Sequence, residues 1–258
     1  MSLSSVTKFR VEGETGVFYR EIEGVRIAID SLYKVYVDGV LYGDIVAMPV
    51  NLEEAGLGLA AGEHPGIDPS RVRVEVLGGS IKVMGLRAIA PKPMLLNPGE
   101  CGAPAGIATY KPLARDLYTW GDVMHLFKDF SGRTAGVRYR ISAHTAAIYS
   151  LDEGVTVVAH DTSRHTAVLK AIGLALVHGL LDKPRLAAVT TGRASADMVY
   201  RLASAGVGLI VTMRGPLMSG VEAARRLGLT LVSNAKNGRG RGIVLLSGSL
   251  QGPNSARH

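Results

Sequence analysis

Cys101 is the only cysteine in a chain of 258 residues, and it lies in the stretch LNPGECGAPAG, residues 96–106. A thiolate is a strong nucleophile, so one such residue is enough to carry covalent chemistry. Pro104 stands where a CxxC pair would have its second cysteine, so the loop can form no disulfide of its own. The nearest charge in sequence, Glu100, raises a thiol pKa rather than lowering it. Activation would therefore draw on positive charge from elsewhere in the fold. The stretch from about 90 to 108 holds Pro91, Pro93, Pro98, Gly99, Gly102, Pro104 and Gly106, which suit neither helix nor strand interior. That predicts a flexible loop with the thiol near the surface. Free cysteines also serve as small, inert packing residues, and residue chemistry alone leaves both readings open.

Four other segments pair arginine with small or hydroxyl residues: AHDTSRH (159–165), TTGRAS (190–195), TMRGP (212–216) and SNAKNGRGR (233–241). They bring Arg164, Arg193, Arg214, Arg239 and Arg241 beside Thr162, Ser163, Gly192, Ser195 and Gly215. Guanidinium forks with nearby backbone N–H groups are what phosphate oxygens require. None of the four is a Walker A loop or a GxGxxG turn, and NGRGRG precedes a strand rather than a helix. Of the histidines, His165 follows Arg164 at an expected helix start, which makes it a better candidate than His144 or His160. With one cysteine, no Cys-rich zinc or iron–sulfur site and no zinc-deaminase ligand set can form.

The elements that must position these residues fall into two styles. The first hundred residues read as short strands (EGVRIAI, KVYVDGVLYG, RVRVEVLGGSIKVMGL) with Asp-Gly and Gly-Gly hairpin turns, plus a helix NLEEAGLGLAAGE capped by Asn51. A helical stretch is expected around residues 110–130. After residue 150 strand and helix alternate: VTVVAH, a helix over 163–181, RLAAVT, a helix from Ser195 to Gly206, GLIVTM, a helix from Pro216 to Gly228, then LTLVSN and GIVLLS. This rhythm predicts a mostly parallel sheet covered by helices, with ligands at the carboxyl ends of the strands. The four arginine segments leave those ends. The expected divisions are a β-rich N-terminal part (1–89), a flexible Cys-bearing loop (90–108), an α/β core (109–248) and a disordered tail (249–258).

Composition narrows the partners. The net charge of +7 favours an anionic partner, yet there is no block of Lys/Arg, and aromatics at 5% poorly supply a stacking platform for nucleic acid. No apolar run is long enough for a membrane span, and the start MSLSSVTKFR carries no signal-peptide pattern, so a cytoplasmic protein is expected.

Four stretches together resemble the formate dehydrogenase accessory sulfurtransferases, the FdhD/NarQ family. They are CGAPAG at Cys101, AHTAAIYSLDEGVTVVAHDTSRHTAVLKAIG from Ala143, TGRASADMVYRLASAGVGLIV from Thr191, and GVEAARRLGLTLVSNAKNGR from Gly220. The likeness extends over roughly residues 35 to 248. It implies a three-layer α/β core similar to the cytidine deaminase fold but without zinc, and a cytoplasmic homodimer. It implies a sulfur carrier that takes persulfide sulfur from a cysteine desulfurase onto Cys101. The sulfur passes to a molybdenum or tungsten bis-pterin guanine dinucleotide cofactor, bound as cargo for apo formate dehydrogenase or a related oxidoreductase. GDP-like ligands would bind the same place. The segment Asn234, Ala235, Lys236, Asn237, Gly238 and Arg239 matches the family's cofactor-binding loop, and Arg164, His165, Arg193 and Ser195 match motifs around that cleft. The chain departs from the family at Pro104 (a second cysteine), Ser163 (a glycine) and Thr166 (an asparagine). The competing expectations are a cofactor-binding chaperone with an incidental Cys101, a Cys/His hydrolase using His144 or His165, and nonspecific nucleic-acid binding.

Overall fold

The computed structural model describes residues 8–64, 67–86, 117–237 and 240–252. Its centre is a seven-stranded sheet made of β1 (Arg10–Glu14), β8 (His144–Ser150), β9 (Val155–Asp161), β10 (Leu186–Thr190), β11 (Val207–Thr212), β12 (Thr230–Asn237) and β13 (Gly240–Ser247), in the order β1-β9-β8-β10-β11-β12-β13. The sheet is mixed rather than mostly parallel. β1–β9, β10–β11 and β11–β12 are parallel, while β9–β8, β8–β10 and β12–β13 are antiparallel. The reason is local: β8 and β9 form a hairpin across the turn closed by Gly154, which takes a positive φ of 64°. β8 thereby enters the middle of the sheet against the prevailing direction.

Both faces of the sheet are covered, so its strands are apolar without alternation. Along β8, Ala146 and Ile148 face one core while Ala147 and Tyr149 face the other. The first core is closed by α3 (Arg164–Val177), α4 (Ala196–Ser204) and α5 (Met218–Leu227), the second by α2 (Trp120–Arg140). The core is therefore three layers, helix on sheet on helix. α2 starts at Trp120, later than residue 110, because Thr119 and Asp122 form a reciprocal capping box there. It continues to Arg140, beyond the expected end near 130.

The N-terminal part makes a second, four-stranded sheet: β4 (Ser31–Val37), β5 (Val40–Ala47), β6 (Arg73–Leu77) and β7 (Ser80–Met84), in the order β5-β4-β7-β6. β2 (Tyr19–Ile22) and β3 (Val25–Ala28) form a separate hairpin. The division expected at residue 89 is crossed, since β1 pairs with β9 in the core sheet. The tail expected to be disordered begins ordered: Gln251 donates its N–H to Tyr118 O at 2.9 Å and accepts from Trp120 N at 3.1 Å. The Cys-bearing loop, 90–108, lies outside the described residues.

The two units meet through α1 (Leu52–Glu63), which lies between the four-stranded sheet and α3. α3 is buried on all sides from Thr166 to Leu176, as a helix packed between two layers must be. The approach of α1 to α3 is closer than side chains allow. A Cβ on Gly58 would meet the carbonyl oxygen of Leu169, and one on Gly173 would meet that of Glu54. Asn51 precedes α1 but does not cap it with its side chain. Its Oδ1 accepts instead from Gly16 N at 3.1 Å, tying the end of β1 to the start of α1.

Candidate functional site

The pairings make β1, β9, β10, β11 and β12 run in one direction, so five carboxyl ends share one edge with the amino ends of β8 and β13. Three of the arginine segments leave that edge after β9, β10 and β11; the fourth, SNAKNGRGR, is mostly strand, running along β12 to Asn237 and resuming in β13 at Gly240. Arg164 and His165 open α3 behind the N-cap Ser163, whose hydroxyl accepts from Thr166 N at 3.4 Å. Arg193 and Arg214 follow β10 and β11 and are exposed. Asn234 is half-buried on β12, and the segment to Asn237 pairs with β13 down to Asn237↔Gly240. Gly238 and Arg239 lie outside the described residues, as does Cys101.

Glycine is required where the first two loops touch. A Cβ on Gly192 would lie 3.0 Å from Arg164 Cβ and 3.2 Å from Thr190 Oγ1. The absence of that Cβ lets the Arg164 stem pass across the end of β10. The loop after β10 is anchored on its other side by α5: Leu217 N donates to Ala194 O at 2.9 Å, and a Cβ on Gly220 would strike the same carbonyl. α5 begins one residue after the N-cap Leu217, so Pro216 lies before the helix rather than in its first turn.

Ser195 occupies the N-cap position of α4, as expected, but makes no side-chain capping bond. Its hydroxyl meets His165 Nε2 at 3.2 Å instead, linking the loops after β9 and β10. Burial pushes the His165 imidazole down to about 4 from its ordinary 6.5, with the nearby Arg164 and Arg201 guanidinium groups acting in the same direction. His165 is therefore a neutral hydrogen-bonding group at physiological pH. The sign of the stability effect follows. Between pH 4 and 6.5 the unfolded chain binds a proton that the folded chain refuses, so stability rises with pH through that window and is fully present above it. The contribution has an upper bound on the order of 3 kcal/mol. Urea denaturation across this pH range is expected to show a shallower slope for His165→Gln than for the natural chain. Equal slopes would contradict the assignment.

Two further clusters lie at the same edge. In the first, the buried His160 places Nε2 3.0 Å from Glu14 Oε1 and Nδ1 2.9 Å from Thr145 Oγ1. With the carboxylate accepting, Nε2 carries the proton. The arrangement has the order of a carboxylate–imidazole–hydroxyl relay, but Thr145 is wholly buried. Next to it, Thr191 Oγ1 accepts from Thr145 N at 3.0 Å and lies 3.2 Å from His144 Nδ1. In the second, Asp161 and Lys170 form a fully buried ion pair of 2.8 Å. Burial raises the Asp161 pKa and lowers that of Lys170, the pair's mutual attraction opposing both shifts. A lone Asp closing an apolar strand and a lone Lys inside an apolar helix are the sequence signal for such a pair. On α4, Asp197 is likewise engaged by Arg201 at 2.9 Å, which also pairs with Glu63 of α1 at 2.6 Å. Two carboxylates near the arginine loops are thus engaged by buried cations.

Among the described residues no helix is long and apolar enough to cross a membrane. The family model for the FdhD/NarQ family matches residues 96–243, more than half of the chain. A sulfur carrier protein FdhD from Methanothermobacter thermautotrophicus is 27% identical over 91% of this chain and 93% of its own length. One from Bordetella petrii is 24% identical over 88% of this chain and 87% of its own length. One from Thermoplasma volcanium is 33% identical over 43% of this chain, a match spanning 37% of that relative. A crystal structure from Desulfotalea psychrophila, provisionally assigned as a formate dehydrogenase accessory protein, superposes with a TM-score of 0.64 at 23% identity. That superposition covers 90% of this chain and 95% of the other and shows a common fold.

Proposed function

The chain belongs to the FdhD/NarQ family, and from that premise we propose that it is a sulfur carrier serving the maturation of formate dehydrogenase. Cys101 is the carrier. Its thiolate attacks the terminal sulfur of a cysteine desulfurase persulfide, forming a new S–S bond as the desulfurase thiolate leaves. In donation an electron pair from the acceptor on the cargo forms the new bond to the outer sulfur, the S–S bond breaks, and Cys101 leaves as a thiolate. Each half of the cycle uses one sulfur atom on this chain, so Pro104 does not interrupt it.

The cargo in this reading is the molybdenum or tungsten bis-pterin guanine dinucleotide cofactor. The observation that carries it is the convergence of Arg164, Arg193, Arg214 and the β12–β13 hairpin on one strand edge. The phosphates of a guanine dinucleotide match guanidinium forks and helix N-termini. Ser195 and neutral His165 add hydrogen-bonding groups that carry no charge, and the segment Asn234 to Arg239 grips the nucleotide. The client is apo formate dehydrogenase or a related molybdo- or tungsto-oxidoreductase. The protein works in the cytoplasm as a homodimer, and its core is a zinc-free relative of the cytidine deaminase fold.

Titration with GDP tests the site. The natural chain is expected to bind GDP, and Arg239→Ala to weaken it roughly tenfold to a hundredfold, the loss of a charge-assisted contact. Absence of GDP binding, or full affinity in the variant, would contradict the nucleotide site. Pro104 supports a second reading, a chaperone that binds the cofactor without covalent chemistry. Under it, Cys101→Ser would mature the client as well as the natural chain does.

A further inference from the structure

The turn Thr162–Ser163 that leads into α3 is held from beneath by Asp161, and we propose that Asp161 is a positioning residue for the anionic site, locked in place by Lys170. The inference rests on the nucleotide reading above and extends it to a residue that touches no ligand. The Asp161 carboxylate is wholly buried and accepts from four donors. Oδ1 takes the N–H of Ser163 at 2.8 Å and the hydroxyl of Thr162 at 3.3 Å. Oδ2 takes the N–H of Met48 at 3.0 Å and the Lys170 ammonium at 2.8 Å. Half of its bonds therefore fix the loop that presents Arg164 and His165. The other half fix it to the end of β5 and the middle of α3.

Lys170 completes the frame by donating also to Met48 O at 3.2 Å, and Thr166 Oγ1 donates to Val46 O at 2.7 Å. The segment Val46–Met48 leaving the four-stranded sheet thus runs along the first turns of α3 under three side-chain bonds. The N-terminal unit is in this way part of the site's scaffold, although it supplies none of the arginines. Stability alone does not account for the pair, because a buried ion pair commonly does no better than well-packed apolar residues of the same volume. A carboxylate oxygen at this point does something that apolar packing cannot. It accepts the Ser163 N–H just before the helix and sets the direction in which Arg164 departs.

Two double variants of the full chain separate positioning from packing. Asp161→Ala with Lys170→Met, and Asp161→Asn with Lys170→Met, both remove the buried charges. Only the second keeps an oxygen for Ser163 N–H. Amide hydrogen exchange at Ser163 is expected to quicken about tenfold or more in the Ala/Met variant, and GDP affinity to fall by a similar factor. The Asn/Met variant is expected to recover most of both. Equal loop exchange and equal GDP affinity in the two variants would overturn the proposal. A natural chain that binds no GDP would sink the nucleotide site instead, and loop exchange alone would then decide the role of Asp161.

Discussion

Gly173→Ala is expected to destabilise the protein by about 2 kcal/mol or more, against the helix-propensity gain of about 1 kcal/mol that alanine normally brings. The glycine lies within α3, where a Cβ would collide with the backbone of Glu54. Backbone cannot rotate aside as a side chain can, so α1 and α3 would have to separate. That separation opens the core shared by Leu169, Leu59 and Ala55. Gly58 makes the reciprocal contact against Leu169, so the two substitutions together would not add simply. Gly132 in α2 provides the control, since nothing lies within 4 Å of its would-be Cβ. Gly132→Ala is expected to stabilise by about 1 kcal/mol. Urea midpoints for the two variants should move in opposite directions. A shared direction would mean that the helix crossing is looser than described.

Lys170→Met is expected to cost about 3–5 kcal/mol, the penalty for stranding one charge of a buried pair. The cost should depend on pH with a definite sign. Burial already raises the Asp161 pKa while Lys170 opposes the rise. Without the ammonium the folded pKa climbs further, so the folded chain binds a proton that the unfolded chain, at its ordinary 3.8, has released. Stability relative to the natural chain is then greatest in acid and is lost as pH rises through the folded pKa. Adding Asp161→Asn removes the stranded charge and is expected to abolish this dependence. Denaturation of the three proteins at pH 5 and pH 8 would read it out, and a pH-independent difference would contradict the ion-pair account.

What the sequence disclosed, and what it hid, divides along physical lines. The alternating core was legible because strand and helix periods and their Gly and Ser punctuation are local. Gly228 does close α5 in the left-handed conformation. The arginine edge was legible because loops that follow parallel strands must lie together. Three features were hidden because they depend on long-range pairing. β1 leaves its neighbours in sequence to flank β9. Ser195 sits where a cap should be, yet spends its hydroxyl on His165, thirty residues away in sequence. Asp161 finds Met48 across 113 residues, a contact that no period in the sequence encodes. The family resemblance drawn from the motifs agrees with the family match over residues 96–243.

The most direct test of sulfur carriage is intact-protein mass spectrometry after incubation with a cysteine desulfurase and cysteine. The account predicts a mass increase of one sulfur atom, localised to Cys101, removed by reductant and absent from Cys101→Ala, which also fails to mature the client dehydrogenase. Maturation by Cys101→Ala at the natural rate, or a natural chain that never gains sulfur while still supporting maturation, would contradict it.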